Sequence, residues 1–372
     1  MLAPLIFWTA VAIVVYTYAG YPVVLSLLRR AFHRPARRAP VFPSVTLLIP
    51  AYNEAGVMER KMRNSLALDY PVEQLEILVA SDGSVDGTAA IAERFTEGGR
   101  VRVLSFAYNR GKMATLNASV PYARGEIVVF SDTAAILRPD ALRRLVESFA
   151  DPAVGAVSGR YAVINPGDVS SGASEDFYWR YETQLKILES ELGSTLGAHG
   201  HLYAIRRELY PYPPPNTIND DYVVPISVIA KGYRTVYEPA ALVYEEAREM
   251  TGFGRRIRIM AGNIQQLREF LGLLRPFRPL PVFFFVSHKL MRLLVPFAMV
   301  TALISNVALL GTPIWTAVFG AQALFYALAF SGLVFRLRPK VLMLPFYFSM
   351  INAAAFFGLY HACTRRRSLA WD

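Results

Sequence analysis

The stretch LEILVASDGSVDGT, residues 75–88, joins a short apolar run to a loop of acids, glycines and serines. The run Leu75–Val79 is typical of a β-strand, because it is short, mostly apolar and followed by turn-forming residues. Gly83 and Gly87 permit a tight turn, and Asp82 can accept hydrogen bonds from a base or a ribose. Asp-Gly-Ser alone indicates only a turn, so its meaning depends on the neighbouring strands.

Further short apolar runs alternate with helix-length amphipathic segments; they are Val45–Ile49, Val101–Leu104, Ile127–Phe130 and Val154–Val157. The alternation predicts βαβ units, an α/β fold and a mostly parallel sheet. Ligands bind such sheets at the carboxyl ends of the strands. Four runs end in polar residues, where we expect a ligand site: Asn53-Glu54, Ser81–Ser84, Asn109–Lys112 and Ser131-Asp132.

The two ends of the chain are strongly apolar, and 53% of its 372 residues are hydrophobic, above the ~45–50% of soluble domains. Residues 2–28 predict an N-terminal transmembrane helix, because the run is long enough to span a bilayer and lacks the basic start of a signal peptide. Further apolar stretches lie at 290–311, 313–335 and 341–362. The predicted organisation is a basic juxtamembrane linker at 29–43, a cytoplasmic α/β domain at 44–250, amphipathic interfacial helices at 251–280, a transmembrane region of about three helices at 281–362 and a basic tail at 363–372.

The net charge of +10 comes from 39 Lys and Arg against 29 Asp and Glu. Arginines cluster beside the apolar runs, at residues 29–38 and 336–340. This pattern is typical of the cytoplasmic face of a membrane protein that contacts anionic lipids. We therefore expect a multi-pass protein of the inner (cytoplasmic) cell membrane with membrane lipids as partners and no nucleic acid. The sequence does not decide on which side of the membrane the C-terminus lies or whether the protein forms a homo-oligomer. Cys363 is the single cysteine, which excludes an intramolecular disulfide.

Four motifs occur in a fixed order: IPAYNE (49–54), SDGS (81–84), NRGKMATLN (109–117) and INDDYVVPISVIAKGY (218–233). With them the chain resembles, over about residues 44–270, the family 2 glycosyltransferases, which are inverting enzymes of the nucleotide-diphospho-sugar transferase (GT-A) fold. The apolar flanks resemble the membrane-integrated branch of hyaluronan, chitin, cellulose and poly-N-acetylglucosamine synthases. The resemblance implies a nucleotide-sugar donor, most commonly a UDP-sugar in this family, a glycan or lipid-linked acceptor, and Mg²⁺ or Mn²⁺ as cofactor.

The resemblance also implies a donor site. Ala51, Glu54, Asp82 and Ser84 match the motifs that hold the nucleoside. Lys112 matches a basic residue near the diphosphate, where positive charge supports the leaving group.

The segment GRRIRIMAG (254–262) departs from the pattern of the processive synthases, Gln-x-x-Arg-Trp. Arg255 stands in place of Gln, Arg258 matches the Arg, and Ile259 replaces the Trp that stacks on the acceptor sugar. Both arginines are candidates for gathering the donor diphosphate, and the alternative is that they bind lipid phosphates.

Asp132 matches the first acid of an Asp-x-Asp metal motif, whose second acid is replaced by Ala134. One or two carboxylates with phosphate oxygens and water commonly hold Mg²⁺. We therefore expect Asp132 to hold a cation weakly without donor and more tightly with it. The alternative interpretation of Ala134 is a non-catalytic sugar-nucleotide-binding subunit.

Asp221, with Asp220 beside it, matches the catalytic base when Gly232-Tyr233 is aligned with the Gly-Tyr of the family. Inverting transfer needs a base to take the proton of the acceptor hydroxyl on the face opposite the leaving diphosphate. Adjacent carboxylates repel each other and can raise one pKa toward neutrality. The alternative is that the two aspartates only cap a helix.

Gly200 and His201, in GAHGHLYAIRREL (197–209), fall where the family places the acceptor, and Trp179 is a further candidate. A packing role for these residues stays open, and two histidines at i, i+2 are too few for a zinc site. Two versions of the reaction also stay open. The missing Trp weakens a processive synthase, whereas the C-terminal helices favour it over the addition of one sugar to a lipid-linked acceptor.

Overall fold

The structure, a computed structural model, describes residues 2–164, 170–246, 262, 265–267, 271–274, 277–335 and 340–364. Most of the predicted interfacial segment at 251–280 and of the basic tail lies outside these ranges, and so do Arg255 and Arg258. The described part contains one sheet, the helices that cover it and a set of long apolar helices.

The strands are β1 (Val45–Ala51), β2 (Leu75–Asp82), β3 (Val101–Phe106), β4 (Ile127–Phe130), β5 (Ile136–Leu137), β6 (Val154–Ile164), β7 (Tyr203–Arg206) and β8 (Arg234–Glu246). They form one eight-stranded sheet in the order β3-β2-β1-β4-β7-β6-β8-β5. The pairs β1/β2, β1/β4, β2/β3 and β6/β8 are parallel, and β4/β7, β6/β7 and β5/β8 are antiparallel. All five predicted strands are present, so the α/β class with a mostly parallel, mixed sheet is confirmed.

The helices are α1 (Leu2–Val15), α2 (Tyr21–Phe32), α3 (Ala55–Leu66), α4 (Thr88–Glu93), α5 (Lys112–Ser119), α6 (Ala141–Val146), α7 (Ser170–Glu191), α8 (Asp220–Ala230), α9 (Pro279–Phe284), α10 (Met291–Val307), α11 (Pro313–Phe335) and α12 (Lys340–Thr364). Helix α8 ends at Ala230, and Gly232 beyond it has a φ of 100°, a left-handed conformation that glycine commonly adopts after a last helical turn.

The central strand β1 is buried at every position. Successive side chains of a strand point to opposite faces, so Leu47 and Ile49 join one core cluster and Leu48 joins another. A strand buried on both faces reads as an uninterrupted apolar run. The mostly apolar run Val45–Ile49 predicted β1 for this reason.

The parallel register aligns the ends of the strands. Ala51 pairs with Ser81 at the end of β1, and Asp82 pairs with Phe106 at the end of β2 and β3. Because β4 also runs parallel to β1, with Phe130 opposite Leu48, the four polar loops leave the sheet at one edge.

Three described helices are long and apolar enough to cross a membrane, namely Leu2–Phe32, Pro279–Val307 and Pro313–Gly332. The first joins α1 to α2 through a π-helical turn, and the second joins α9 to α10 in the same way. The second of these helices begins at Pro279, earlier than the predicted stretch at 290–311, because its first turns pack on the α/β domain. Helix α12 is a further apolar helix.

That packing forms a third core cluster between the apolar helices and the α/β domain. Tyr21 from α2 and Phe284 from α9 meet Leu185 from α7 and Ile226 from α8 in this cluster. Helices α2 and α9, which precede and follow the sheet domain in the chain, therefore pack against α7 and α8 of that domain.

Candidate active site

The loops after β1 and β2 are joined through Asn53. Its backbone N–H donates to Ser84 Oγ at 3.1 Å, and its side-chain oxygen accepts from the N–H of Val85 at 3.0 Å. Asn53 has a φ of 51°, a left-handed conformation that Asn tolerates better than most residues. Backbone strain of this kind is typical of functional sites, where the surrounding contacts must hold it in place.

Asp86 provides the second link between these loops. Its carboxylate accepts from the N–H of Ala55 at 2.9 Å and from the N–H of Thr88 at 3.0 Å. Thr88 Oγ1 in turn accepts from the N–H of Glu54 at 2.8 Å. Asp86 is exposed, and slight desolvation opposes its ionisation, but the hydrogen bonds from Thr88 and Ala55 lower its pKa. The loops are therefore fixed before any ligand arrives.

Asp82 holds the loop after β3. Its fully buried carboxylate accepts from the N–H of Arg110 at 3.0 and 3.1 Å and from the N–H of Gly111 at 2.9 Å. At Gly83, whose φ is 70°, a Cβ would lie 2.4 Å from the carbonyl carbon of Tyr108, so only glycine allows this close approach. The contact of Asp82 with a nucleoside stays a prediction, since the described contacts are all with the chain itself.

Lys112 connects the third loop to the fourth. Its Nζ lies 2.9 Å from Asp132 Oδ1 and 3.3 Å from Asp220 Oδ1. Asp220 also accepts a hydrogen bond of 2.8 Å from the hydroxyl of Tyr203. Burial opposes the charged form of Lys112, but Asp132 and Asp220 together raise its pKa. The ammonium is therefore charged and lies between two carboxylates.

Lys61 lies beneath Asp132, and sequence reasoning missed it. The side chain is fully buried, and its Nζ donates to Ser131 Oγ at 2.7 Å and to the carbonyl of Ala135 at 2.6 Å. Burial lowers the pKa of Lys61 to about 7, against the opposing charge of Asp132. The spacing of Met58, Lys61 and Met62 on the buried face of α3 is the signal that could have identified it.

Asp132 stands at the end of β4 with a third of its side chain exposed. Burial opposes its ionisation, but Lys112 and then His201 and Lys61 lower its pKa, so it is a carboxylate at neutral pH. Within the described ranges no three His, Cys, Asp or Glu side chains form a ready metal cluster. The residues present fit Mg²⁺ or Mn²⁺ only if diphosphate oxygens and water complete the coordination.

Asp221 differs from its neighbour Asp220. In the part of the chain that the structure describes, no hydrogen bond or ion pair engages the Asp221 carboxylate. Burial and the charge of Asp220 raise its pKa, although Lys112 and Lys186 oppose the shift. A Cβ at Gly200 would lie 3.5 Å from Asp221 Oδ2, so the absence of a side chain leaves space in front of the carboxylate.

The capping alternative for the two aspartates is wrong. Asn219 occupies the N-cap of α8, without a side-chain capping bond, and Asp220 and Asp221 lie in the first turn. A first-turn acid is still favoured by the helix dipole.

The predicted acceptor residues gather around Tyr161. The ring of His201 stacks on it with centroids 4.1 Å apart, and the ring of Trp179 meets it at 4.9 Å. His201 Nε2 lies 3.0 Å from Glu245 Oε2. Gly200 connects this cluster to Asp221. Contact of these residues with an acceptor stays a prediction.

The remaining donor residues have different surroundings. Ala51 is fully buried in the sheet core, so only its backbone can reach a ligand. Glu54 lies directly before α3, and Ser84 is half-buried in the loop that Asn53 holds.

Comparison with known proteins identifies relatives of this arrangement. Residues 46–211 match the family model described as Glycosyl transferase family 2. The poly-beta-1,6-N-acetyl-D-glucosamine synthase of Staphylococcus aureus (strain MSSA476) is 26% identical over 257 residues, which cover 67% of this chain and 62% of that protein. An N-acetylglucosaminyltransferase of Rhizobium meliloti (strain 1021) is 25% identical over 329 residues, 82% of this chain and 77% of the relative. The chain thus matches less than two thirds of the length of the first relative.

Among solved structures, the mannosyltransferase PcManGT from Pyrobaculum calidifontis, in complex with GDP-Man and Mn²⁺, is similar with a TM-score of 0.74. The match covers 97% of this chain and 100% of that chain at 25% identity. The nucleotide-diphospho-sugar transferase (GT-A) fold predicted from the sequence is therefore confirmed.

The role of Asp86 in fixing the loops can be tested by hydrogen exchange. Asp86→Ala removes the acceptor of the Ala55 and Thr88 amides. Their exchange should become about 5–30-fold faster, the equivalent of ~1–2 kcal/mol, because the lost bonds are to a charged group. Asp69→Ala is the matched control, since Asp69 makes a surface ion pair with Arg143 at 3.2 Å. Unchanged exchange at Ala55 in Asp86→Ala would show that the loops are held by other contacts.

Proposed function

We propose that this protein, a glycosyltransferase with a family 2 domain at residues 46–211, is a membrane-integrated inverting enzyme. It transfers a sugar from a nucleotide-diphospho-sugar to a hydroxyl of a glycan or lipid-linked acceptor. One observation carries the proposal. Among the described residues the Asp221 carboxylate has no hydrogen-bond or ion-pair partner, and it faces the space that Gly200 leaves open. A carboxylate in this setting is available to a substrate proton.

The proposed reaction is a single displacement. The acceptor oxygen attacks the anomeric carbon while its proton passes to Asp221, and the bond from the anomeric carbon to the diphosphate breaks with its electron pair leaving on the nucleoside diphosphate. Asp220 is unsuited to the role of base, because Lys112 and Tyr203 occupy its oxygens. The raised pKa of Asp221 makes it a stronger base than an ordinary aspartate.

Lys112 serves the leaving group in this proposal. It is the first residue of α5, and a diphosphate placed before the helix would meet both the ammonium and the positive end of the helix dipole. Asp132 would hold the divalent cation together with diphosphate oxygens. When bound, Mg²⁺ or Mn²⁺ supplies positive charge that stabilises the departing diphosphate.

The donor that we propose is a UDP-sugar, with N-acetylglucosamine as the transferred sugar. The names of the two curated relatives support N-acetylglucosamine, and the commonness of UDP in the family supports the nucleotide. The structural neighbour holds GDP-Man, which makes GDP-mannose the competing donor. A screen of radiolabelled sugar nucleotides with membranes that contain the protein, followed by sizing of the product, separates these donors and separates a polymer from a single addition.

We place the catalytic domain on the cytoplasmic side of the cell membrane, with several spans. Three described helices have the required length and apolar character, and the arginines in the last turn of α2 favour the cytoplasm. Arg29 pairs with Glu191 of α7 at 2.8 Å, which ties this basic end to the catalytic domain.

Asp221→Asn tests the proposed base. The amide is close in size to the carboxylate but accepts no proton, so we expect sugar transfer to fall by about 10²–10⁴-fold. Nucleotide affinity should stay within about twofold, because Asp221 lies on the acceptor side. Radiolabel transfer and nucleotide titration measure the two quantities, with Asp69→Asn as the surface control. Turnover retained in Asp221→Asn would exclude Asp221 as the base.

The proposed metal site predicts coupled binding of cation and nucleotide. Asp132 is a single carboxylate and Lys112 competes for its Oδ1, so Mn²⁺ alone should bind weakly. UDP or GDP should tighten Mn²⁺ binding by about tenfold or more, and by linkage Mn²⁺ should tighten nucleotide binding by the same factor. Mn²⁺ titration by electron paramagnetic resonance measures this, and Asp132→Asn should remove the coupling. Tight Mn²⁺ binding without nucleotide would contradict the proposed site.

A further inference from the structure

Three basic residues lie within five positions where the second apolar helix meets the α/β domain: His288, Lys289 and Arg292. Two of them have carboxylate partners from α7. His288 Nδ1 lies 2.6 Å from Glu189 Oε1, and Arg292 Nη1 lies 2.5 Å from Glu182 Oε1. Both glutamates are buried, so these pairs neutralise charge inside the junction.

Lys289 has a different environment. Over the described ranges no carboxylate lies within ion-pair distance of it, and its Nζ is 4.9 Å from the centroid of the Tyr222 ring. The side chain is half-buried. A cation–π contact is worth about 0.5–2 kcal/mol, and it uses none of the three N–H donors of an ammonium. Tyr222 directly follows Asp221, so this cation lies next to the proposed base.

The two glutamates do not account for Lys289. Glu189 already accepts from Tyr21 at 2.8 Å and from Thr195 at 3.0 Å, besides its contact with His288. Glu182 is engaged by His288 and Arg292. Lys289 therefore takes no part in the ion pairs that His288 and Arg292 make with these two glutamates.

Lys186 of α7 provides a second cation near the base. Its Nζ donates to the carbonyl of Gly197 at 2.7 Å. A Cβ at Gly197 would lie 3.2 Å from the Tyr222 ring and 3.8 Å from Lys186 Nζ, so this glycine leaves room between the ring and the ammonium. Both Lys186 and Lys289 lower the pKa of Asp221 against its burial. The surroundings of the base are therefore suited to an acceptor that carries negative charge.

We propose that Lys289 binds an anionic group of the acceptor, namely the phosphate that joins its first sugar to a lipid. The inference rests on the proposed function, in which Asp221 deprotonates a sugar hydroxyl. A phosphate that was itself the nucleophile would already be anionic and would need no base. The phosphate therefore lies beside the reacting sugar and contacts Lys289.

The position of Lys289 favours a lipid as the carrier of this phosphate. Its helix continues into α10, whose apolar side chains Phe297, Val300 and Ile304 are exposed on the described surface. A lipid chain can lie along such a face while its phosphate stays at the junction, beside Lys289 in the π-helical turn that precedes α10. A growing polysaccharide without charged groups would provide no anion to bind Lys289.

The experiment measures binding to the full chain in nanodiscs of neutral lipid. The probes are farnesyl phosphate, farnesol and inorganic phosphate. We expect farnesyl phosphate to bind about tenfold or more tightly than farnesol, and Lys289→Met to remove this preference. Lys289→Arg should retain most of it, because the cation is kept. Arg94→Met is the matched control: it removes an exposed cation that pairs with Glu59 on the surface of the α/β domain, and the preference should persist.

An equal preference in wild type and Lys289→Met, or no preference in wild type, overturns the proposal. Inorganic phosphate bound as tightly as farnesyl phosphate overturns the lipid source. If Lys289→Met does not fold, Lys289→Gln, checked by its melting temperature, serves as the second neutral variant. The binding readout needs no sugar transfer. Failure of transfer with intact binding therefore contradicts the proposed function and not the phosphate site.

Discussion

The contact on which the candidate site depends is the double ion pair of Lys112. One ammonium joins Asp132 at the end of β4 to Asp220 at the start of α8, at 2.9 and 3.3 Å. Loss of this cation would leave two buried or half-buried carboxylates uncompensated, at a cost of about 3–5 kcal/mol. The ion pair also gives two adjacent aspartates different environments, because Lys112 binds Asp220. Asp220 becomes a fixed structural carboxylate, and in our proposal Asp221 is thereby left to take the acceptor proton.

The same geometry joins the site to the apolar helices. Helix α8 carries Asp220 and Asp221 at its first turn and buries Tyr222 and Ile226 against α2, α7 and α9. The residues of α8 that face the donor loops and those that pack against the apolar helices are thus about one helical turn apart. We propose that this is how a soluble donor and a membrane-borne acceptor meet, with Asp132 and Lys112 on one side of the reacting bond and Asp221 and Lys289 on the other.

The sequence predicted the strands that form short, mostly apolar runs, four of which are followed by polar or turn-forming residues. Strand β7 escaped prediction because Tyr203–Arg206 is short and takes its place through antiparallel pairing with β4 and β6, which is a long-range property. The motifs predicted that Lys112, Asp132 and Asp221 belong to one site, and the structure brings these residues together. The burial of Lys61 and the half-burial of Arg292 were not predicted, since lysine and arginine are mostly exposed and only their tertiary partners identify the exceptions.

The most direct test of this account is the pH dependence of sugar transfer by the wild type and by Asp220→Asn. A base acts when it is deprotonated, so transfer should fall as the pH drops through the pKa of Asp221. Because burial and Asp220 raise this pKa, the acid limb of kcat/KM should lie above the ~3.9 of an ordinary aspartate. Asp220→Asn removes the neighbouring negative charge and should move the limb to lower pH. A limb at the ordinary aspartate value, or one that does not move in Asp220→Asn, would contradict the division of roles between the two aspartates.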